Sequence, residues 1–302
     1  MSHLTLKQLR YFEALSQERH FGRAADLCHV SQPALSVQIR TLETGLGAPL
    51  FERAPKGVRL TAFGDGFAAR VRDILRAVDD LEDLARSARE GLTGHLRLGV
   101  IPTVAPYLLP RLMRRLQRSW PGLAIDIRET ATAHLLREIA DGRLDTAIVA
   151  LPVSEPGLHE EPLHEEPFVL VRPAADGSRP MPDRAALREM RLLLLEEGHC
   201  FRDQALSFCD MDRAHTAHGL DATSLSTLVQ MVGAGMGVTL VPEMAVPVET
   251  RLARVATGRF APPAPSRRLG MIWRRTTPLG GQLARLSATV GDALRETGSP
   301  PA

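Results

Sequence analysis

The chain has 302 residues, 44% of them hydrophobic and 24% charged, with a formal net charge of +2. That length suits about two globular domains, and the composition excludes a disordered or collagen-like chain. The near-neutral balance excludes a uniformly basic nucleic-acid coat, no apolar run reaches the ~18 residues of a membrane helix, and Met1 to Lys7 lacks the charged and apolar regions of a secretory signal, so a cytoplasmic protein with no membrane partner is expected.

Residues 1–64 read as short helices joined by tight turns. Leu4, Leu6, Leu9, Phe12 and Leu15 recur at roughly helical spacing, and Gly22 to Leu27 suggests a second helix. A third follows Ser31-Gln32-Pro33, with Ser31 as N-cap and Pro33 in the first turn. Pro55 and Gly57 fit a hairpin tip. This stretch holds eight Lys/Arg against five Asp/Glu, a modest local excess of positive charge. Two helices joined by the turn Cys28-His-Val-Ser31 match a helix-turn-helix, whose second helix enters the major groove by its N terminus. Gln32, Ser36, Gln38 and Arg40 are the expected exposed residues, and Ala34, Leu35, Ile39 and Leu42 the core-facing ones. Gln pairs with adenine, and Arg with guanine or phosphate. Arg53 and Lys56 on the hairpin are expected at backbone phosphates.

Over residues 65–90, Phe67, Val71, Ile74, Val78, Leu81, Ala85 and Ala88 step by four and three alternately. Such a seam predicts a long linker helix that pairs with a second copy through Val71, Ile74, Val78 and Leu81. An amphipathic helix packed on its own domain is the alternative. Gly91 to Gly94 reads as a linker. Residues 91–302 then alternate strand and helix: strand His95–Ile101, helix Pro106–Ser119, strand Leu123–Glu129, helix Ala133–Asp141, strand Leu144–Leu151. This pattern predicts a parallel α/β sheet. Further strands are expected at Pro167–Val171, Arg191–Leu195, Val238–Val241 and Leu269–Trp273. Helices are expected from Phe201, over Ser226–Ala234 and over Leu283–Leu294.

Leu6-Lys-Gln-Leu-Arg-Tyr-Phe, Phe21-Gly-Arg-Ala-Ala-Asp-Leu, Val30-Ser-Gln-Pro-Ala-Leu-Ser-Val-Gln-Ile-Arg-Thr-Leu-Glu and Leu50-Phe-Glu-Arg together resemble the winged helix-turn-helix of LysR-type regulators. The resemblance implies double-stranded operator DNA as partner, contacted through Ser31, Gln32, Pro33, Ser36, Gln38, Arg40, Arg53 and Lys56. It also implies a dimerising linker helix and an effector domain like periplasmic binding proteins, with two α/β lobes around a cleft. As an activator of this kind the chain would work as a homodimer or homotetramer with RNA polymerase, and without a cofactor or catalytic turnover.

Of three cysteines, Cys28 lies in the turn before the third helix and reads as structural. Cys200 opens a helix beside His199 and Arg202, and cations and a helix N terminus favour a thiolate. A thiolate that attacks peroxide becomes a sulfenic acid, which a second thiol condenses to a disulfide. Nine residues of helix separate Cys200 from Cys209 by about 13 Å of rise, whereas a disulfide needs Cα atoms within about 7 Å. Bonding would therefore require the helix to unwind. Both cysteines could equally be small core residues. Gly198-His-Cys-Phe-Arg-Asp-Gln-Ala-Leu, Ala222 to Pro242 and Ile101 to Pro110 are similar to the peroxide-sensing members of the LysR family. That similarity implies that Cys200 reacts with hydrogen peroxide, that Cys209 resolves it, and that Thr103, Thr132, His199 and Arg267 form the peroxide pocket. The segment between Cys209 and Thr223 departs from those members. A regulator binding a small organic effector, with inert cysteines, is the rival. His215 and His218 lack a third clear ligand, so no metal is expected.

Overall fold

The computed structural model describes residues 4–55, 57–87, 93–209 and 221–296. Lys56, Ala88 of the seam, Gly91 and Leu92 of the linker, and His215 and His218 lie outside the described residues. The chain divides into two units, one ending at Asp83 and one beginning at Leu84.

In the first unit, α1 (Leu6–Glu18) starts at a capping box: the Thr5 hydroxyl accepts from the Gln8 amide, and the Gln8 side chain accepts from the Thr5 amide. α2 (Phe21–Leu27) and α3 (Gln32–Leu46) follow, and Ser31 caps α3 by accepting from the Ala34 amide at 3.4 Å. Gly47 ends α3 in the left-handed region at φ 70°. β1 (Phe51–Ala54) and β2 (Gly57–Leu60) form the antiparallel wing. Gly57 is needed there, since its φ is +133° and a Cβ would lie 2.2 Å from the Arg19 carbonyl oxygen. The Val58 amide donates to that same oxygen at 3.0 Å, pinning the wing to the end of α1. Phe12, Leu15, Leu35, Leu42 and Leu50 form the core, with the Phe12 ring 5.3 Å from Phe51 and 5.0 Å from Phe67.

α4 (Ala62–Ser87) is the expected long helix. Its seam needs one correction: Val71 is 0% exposed and belongs to the core of its own unit. Val71 faces the helices that precede it and is not available to a partner. Ile74 is 46% and Leu81 66% exposed, with Leu84 exposed beside them and Val78 half-buried. The apolar stripe that remains open therefore starts one turn later than the spacing suggests.

The second unit is α/β. Its elements run β3 (Gly94–Val100), α5 (Ala105–Ser119), β4 (Leu123–Glu129), α6 (Thr132–Ala140), β5 (Thr146–Leu151) and β6 (Leu158–Pro173). Then come α7 (Arg184–Glu189), β7 (Leu194–Leu195), α8 (Cys200–Cys209), β8 (Asp221–Ala222), α9 (Leu225–Gly233), β9 (Thr239–Pro242) and α10 (Val246–Glu249). β10 (Val255–Arg259), β11 (Ser266–Arg274) and α11 (Gly280–Arg295) complete it. The main sheet has the order β10-β6-β11-β5-β3-β4, with β9 also on β6. β3 pairs in parallel with β4 and β5, as the alternation of strand and helix predicts. The sheet is nevertheless mixed, because β11, β6, β9 and β10 join it antiparallel.

The antiparallel part turns on β6, which is far longer than the expected Pro167–Val171. Residues 158–167 repeat Leu-His-Glu-Glu-Pro in tandem, and the charges hide the strand. An odd period cannot keep one face in on a strand. A bulge resolves this: His164 faces Leu269 and Pro162 faces Gly270, so Leu163 is the extra residue. The register brings Glu166 opposite Arg267 and Glu165 opposite Arg268. Up to Pro167, β6 pairs with β11 in the first lobe; from Phe168 it pairs with β9 and β10 in the second. The chain thus crosses between lobes along β6 and returns just before β11.

Candidate functional site

On α3, the buried stripe is Leu35, Ile39 and Leu42. Gln32 and Arg40 are exposed, as expected of groove-facing residues, and the Arg40 guanidinium donates to Ser36 Oγ at 3.2 Å. Ser31 is engaged as the cap, and Pro33 is exposed in the first turn. Gln38 is half-buried, and its Oε1 accepts from Gln8 Nε2 at 3.4 Å. Ala34 is a correction: it is exposed, not core-facing. Val37, which the sequence reading passed over, is 54% exposed on the same helix. The stripe at 35, 39 and 42 already leaves 34 and 37 off the core face, and small apolar groups in the groove read thymine methyls. On the wing, Arg53 is exposed with no carboxylate partner among the described residues, whereas Arg59 pairs with Glu52 at 2.8 Å.

Cys200 and Cys209 stand at opposite ends of one helix. α8 is continuous from Cys200 to Cys209, all three cysteines are free thiols, and Cys209 is fully buried while Cys200 is partly open. Burial pushes the Cys209 thiol up from 9.0 to about 11, with Arg184 acting weakly against it. Burial also raises Cys28, in keeping with a structural thiol at the end of α2. Phe201 fixes the first turn of α8, its ring 4.9 Å from Phe168 and 5.8 Å from the Arg267 guanidinium. Phe208 fixes the last turn between Phe260 at 5.3 Å and the Arg184 guanidinium at 4.7 Å.

Two neighbours of Cys200 differ from expectation. Burial lowers the pKa of His199, with Glu196 opposing, so at neutral pH the ring is an uncharged hydrogen-bonding group and not a cation. The buried Arg202 donates to the Leu195 carbonyl at 2.7 Å and pairs with Asp221 at 2.8 Å. Its charge is engaged with a carboxylate.

Arg267, rather than the neighbouring Arg268, is the inward residue, because alternation along β11 buries one and exposes the other. Its Nη1 donates to Thr103 Oγ1 at 2.7 Å and its Nη2 to the Thr103 carbonyl at 3.1 Å. Its Nε donates to Glu166 Oε2 at 2.7 Å, with both side chains buried. Glu166 Oε1 accepts from the Met244 amide at 2.8 Å. Nearby, the Tyr107 hydroxyl donates to Glu249 at 2.7 Å, and burial and that carboxylate hold its pKa far above the usual range. Thr132 begins α6, and its buried Oγ1 has no partner among the described residues. Gln204, one helical turn beyond Cys200, likewise has a buried Oε1 without a partner among the described residues. Buried polar atoms left unpaired are costly, and an ordered water is the usual partner of such an atom. Thus Thr103 and Arg267 are brought together directly, and Arg267 reaches the turn of Cys200 through Phe201; among the described residues Thr132 and His199 bond to neither. Glu166 and Gln204 are the residues the sequence reading missed. The i, i+4 spacing from Cys200 could have found Gln204.

Residues 6–65 match the lysR family of bacterial regulatory helix-turn-helix proteins, and residues 89–295 match the LysR substrate binding domain. The chain is 45% identical over 296 residues to a probable hydrogen peroxide-inducible genes activator of Streptomyces viridosporus, covering 97% of this chain and 95% of that one. It is 40% identical over 292 residues to the DNA-binding transcriptional dual regulator OxyR of Escherichia coli, covering 95% of each. Among solved structures it is similar to a cysteine variant of full-length OxyR from Pseudomonas aeruginosa, with TM-score 0.75, 37% identity and coverage of 96% and 98%. A hydrogen peroxide-bound cysteine mutant of Corynebacterium glutamicum OxyR matches with TM-score 0.68, 36% identity and coverage of 98% and 94%. The winged helix-turn-helix, the two-lobed α/β unit and these relatives agree: the chain belongs to the LysR family of transcriptional regulators, in its OxyR branch.

Proposed function

We propose that this chain is a cytoplasmic regulator that binds operator DNA through α3 and the wing and senses hydrogen peroxide through Cys200 and Cys209. The observation that supports it best is the placement of a partly open cysteine at the start of α8 and a buried one at its end, with no disulfide between them. Cys200 as thiolate attacks one peroxide oxygen; the O–O bond breaks, sulfur gives up two electrons, and the other oxygen leaves as hydroxide and is protonated to water. The Cys209 thiolate then attacks the sulfenic sulfur, the S–O bond breaks, and hydroxide again leaves to become water. Nine residues of helix put the thiols about 13 Å apart in rise, so α8 must unwind for this second step. The chemical event and the conformational event are then one. Thr103, Thr132, His199 and Arg267 would hold the peroxide by neutral and charge-assisted hydrogen bonds. The open stripe of Ile74 and Leu81, with the half-buried Val78 between them, would pair two copies, and pairing of effector units would extend the dimer to a tetramer that presents DNA to RNA polymerase. Such a chain undergoes one oxidation per activation and is a sensor, not an enzyme.

Thiol mass spectrometry after one equivalent of peroxide tests this. A Cys200–Cys209 disulfide with Cys28 reduced is the expected product. A chain that stays fully reduced would point instead to a small organic effector between the lobes.

A further inference from the structure

Glu166 contributes nothing that contacts Cys200, yet both of its oxygens are committed. Oε1 takes the Met244 amide at 2.8 Å and Oε2 takes Arg267 Nε at 2.7 Å. The carboxylate is buried, as is the guanidinium, so the pair is dry and held by more than its charge. With Nε fixed, the planar guanidinium can point its two Nη groups only one way, and both go to Thr103. The consequence lies at the Thr103 hydroxyl. Its oxygen is the acceptor of the 2.7 Å bond from Arg267 Nη1, and its proton has no acceptor among the described residues. A threonine hydroxyl has one proton and two lone pairs; filling a lone pair from behind leaves the proton to point away from Arg267.

We propose that Glu166 is a positioning residue for the peroxide reaction at Cys200: it fixes Arg267, and through Arg267 it orients the Thr103 hydroxyl as donor to the peroxide oxygen that leaves. This rests on Cys200 being the thiol that peroxide oxidises. As the Cys200 sulfur bonds one oxygen, the O–O bond breaks and negative charge grows on the other. A preset donor stabilises that charge without reorganising during the step. Glu166 also ties three parts of the unit: Met244 in the second lobe, Arg267 on the returning strand, and Thr103 in the first lobe. The donor is therefore aimed only while the lobes keep this arrangement.

The test compares two reactions of Cys200 in the full reduced chain, each resolved by site: oxidation by hydrogen peroxide and alkylation by iodoacetamide. Alkylation reports access and nucleophilicity but places no oxygen at the leaving position. Glu166→Gln removes the charge, and Glu166→Asp keeps it but withdraws its reach. We expect the ratio of peroxide to alkylation rates to fall about tenfold or more in both, with operator binding by the reduced chain kept. Thr103→Val should lower the ratio in the same way, and Thr103→Ser should restore it. Where Glu166→Gln loses operator binding through misfolding, Glu166→Asp decides. An unchanged ratio in a Glu166 variant that still binds operator overturns the inference alone. A wild-type Cys200 that peroxide leaves reduced overturns the sensor reading and this inference with it.

Discussion

The two units place their working residues under opposite conditions. In the first, Gln32, Val37, Arg40 and Arg53 stand exposed on a helix and a wing whose stability comes from residues behind them. In the second, Thr103, Glu166 and Arg267 are buried, and each is held by another. Recognition of DNA can therefore be altered residue by residue at little cost to folding. The residues proposed to hold peroxide are part of the fabric of their unit, and changing one alters the stability of that unit. The helix between the cysteines carries this further, since its own integrity is what oxidation must undo.

The comparison is broken most severely at Cys200. Cys200→Ser should abolish the peroxide response completely, while Cys209→Ser should still give a sulfenic acid but no lasting conformational change; trapping of sulfenic acid alongside an operator assay distinguishes the two. Next in size, Glu166→Gln should destabilise the reduced second unit by about 3–5 kcal/mol, because it leaves the Arg267 guanidinium buried without its carboxylate. Urea unfolding measures this, and a loss within error of zero would show that water or another group replaces the partner. An equivalent change in the first unit, Arg53→Ala, should leave urea unfolding unchanged.

The deeply buried Cys209 gives the second unit a pH signature, and the raised Cys28 thiol gives the first one of the same sign. Cys209 keeps its proton in the folded chain up to about pH 11, whereas an unfolded cysteine loses it near 9.0. A group with a raised folded pKa stabilises fully below the unfolded value and loses that contribution as pH rises through the folded one. Reduced protein should therefore lose stability between about pH 9 and 11, and Cys209→Ala should flatten that part of the profile. Two further variants sharpen the contrast from the exposed side. Ile74→Glu with Val78→Glu should shift the chain toward smaller species in sedimentation, since carboxylates in an apolar seam are costly. An unchanged assembly would move the contact off this helix. Arg53→Ala should lower the salt slope of DNA binding by about one and weaken all sequences alike, whereas Val37→Ala should relax preference at a single base pair.

How much of this could be read in the sequence follows the same division. Ser31, Pro33 and Gly47 mark the ends of α3, and Thr5 the start of α1, through bonds to residues three or four away, so the first unit was legible. Local pattern failed where a residue's neighbours come from elsewhere. Val71 has the spacing of a seam residue, but the core it enters is built mainly by α1, α2 and α3. The first half of β6 looks like a polar loop because its side chains answer to a bulge and to β11, which lies about a hundred residues downstream. The cysteines and α8 could be located, but the states of their neighbours could not. Whether His199 is charged depends on burial, and whether Arg202 is engaged depends on Asp221. Glu166 was hidden as one acid among several in a repeat, and only its pairing with Arg267 across 101 residues gives it a role.

Footprinting of the same operator by reduced and stoichiometrically oxidised protein, with peptide mapping of each sample, tests the coupling of cysteine chemistry to DNA most directly. A Cys200–Cys209 disulfide that appears together with a changed spacing of protected bases, and no change in Cys209→Ser, is the predicted result. A disulfide formed with an identical footprint would contradict it, because α8 would then have reacted without moving anything that DNA can feel.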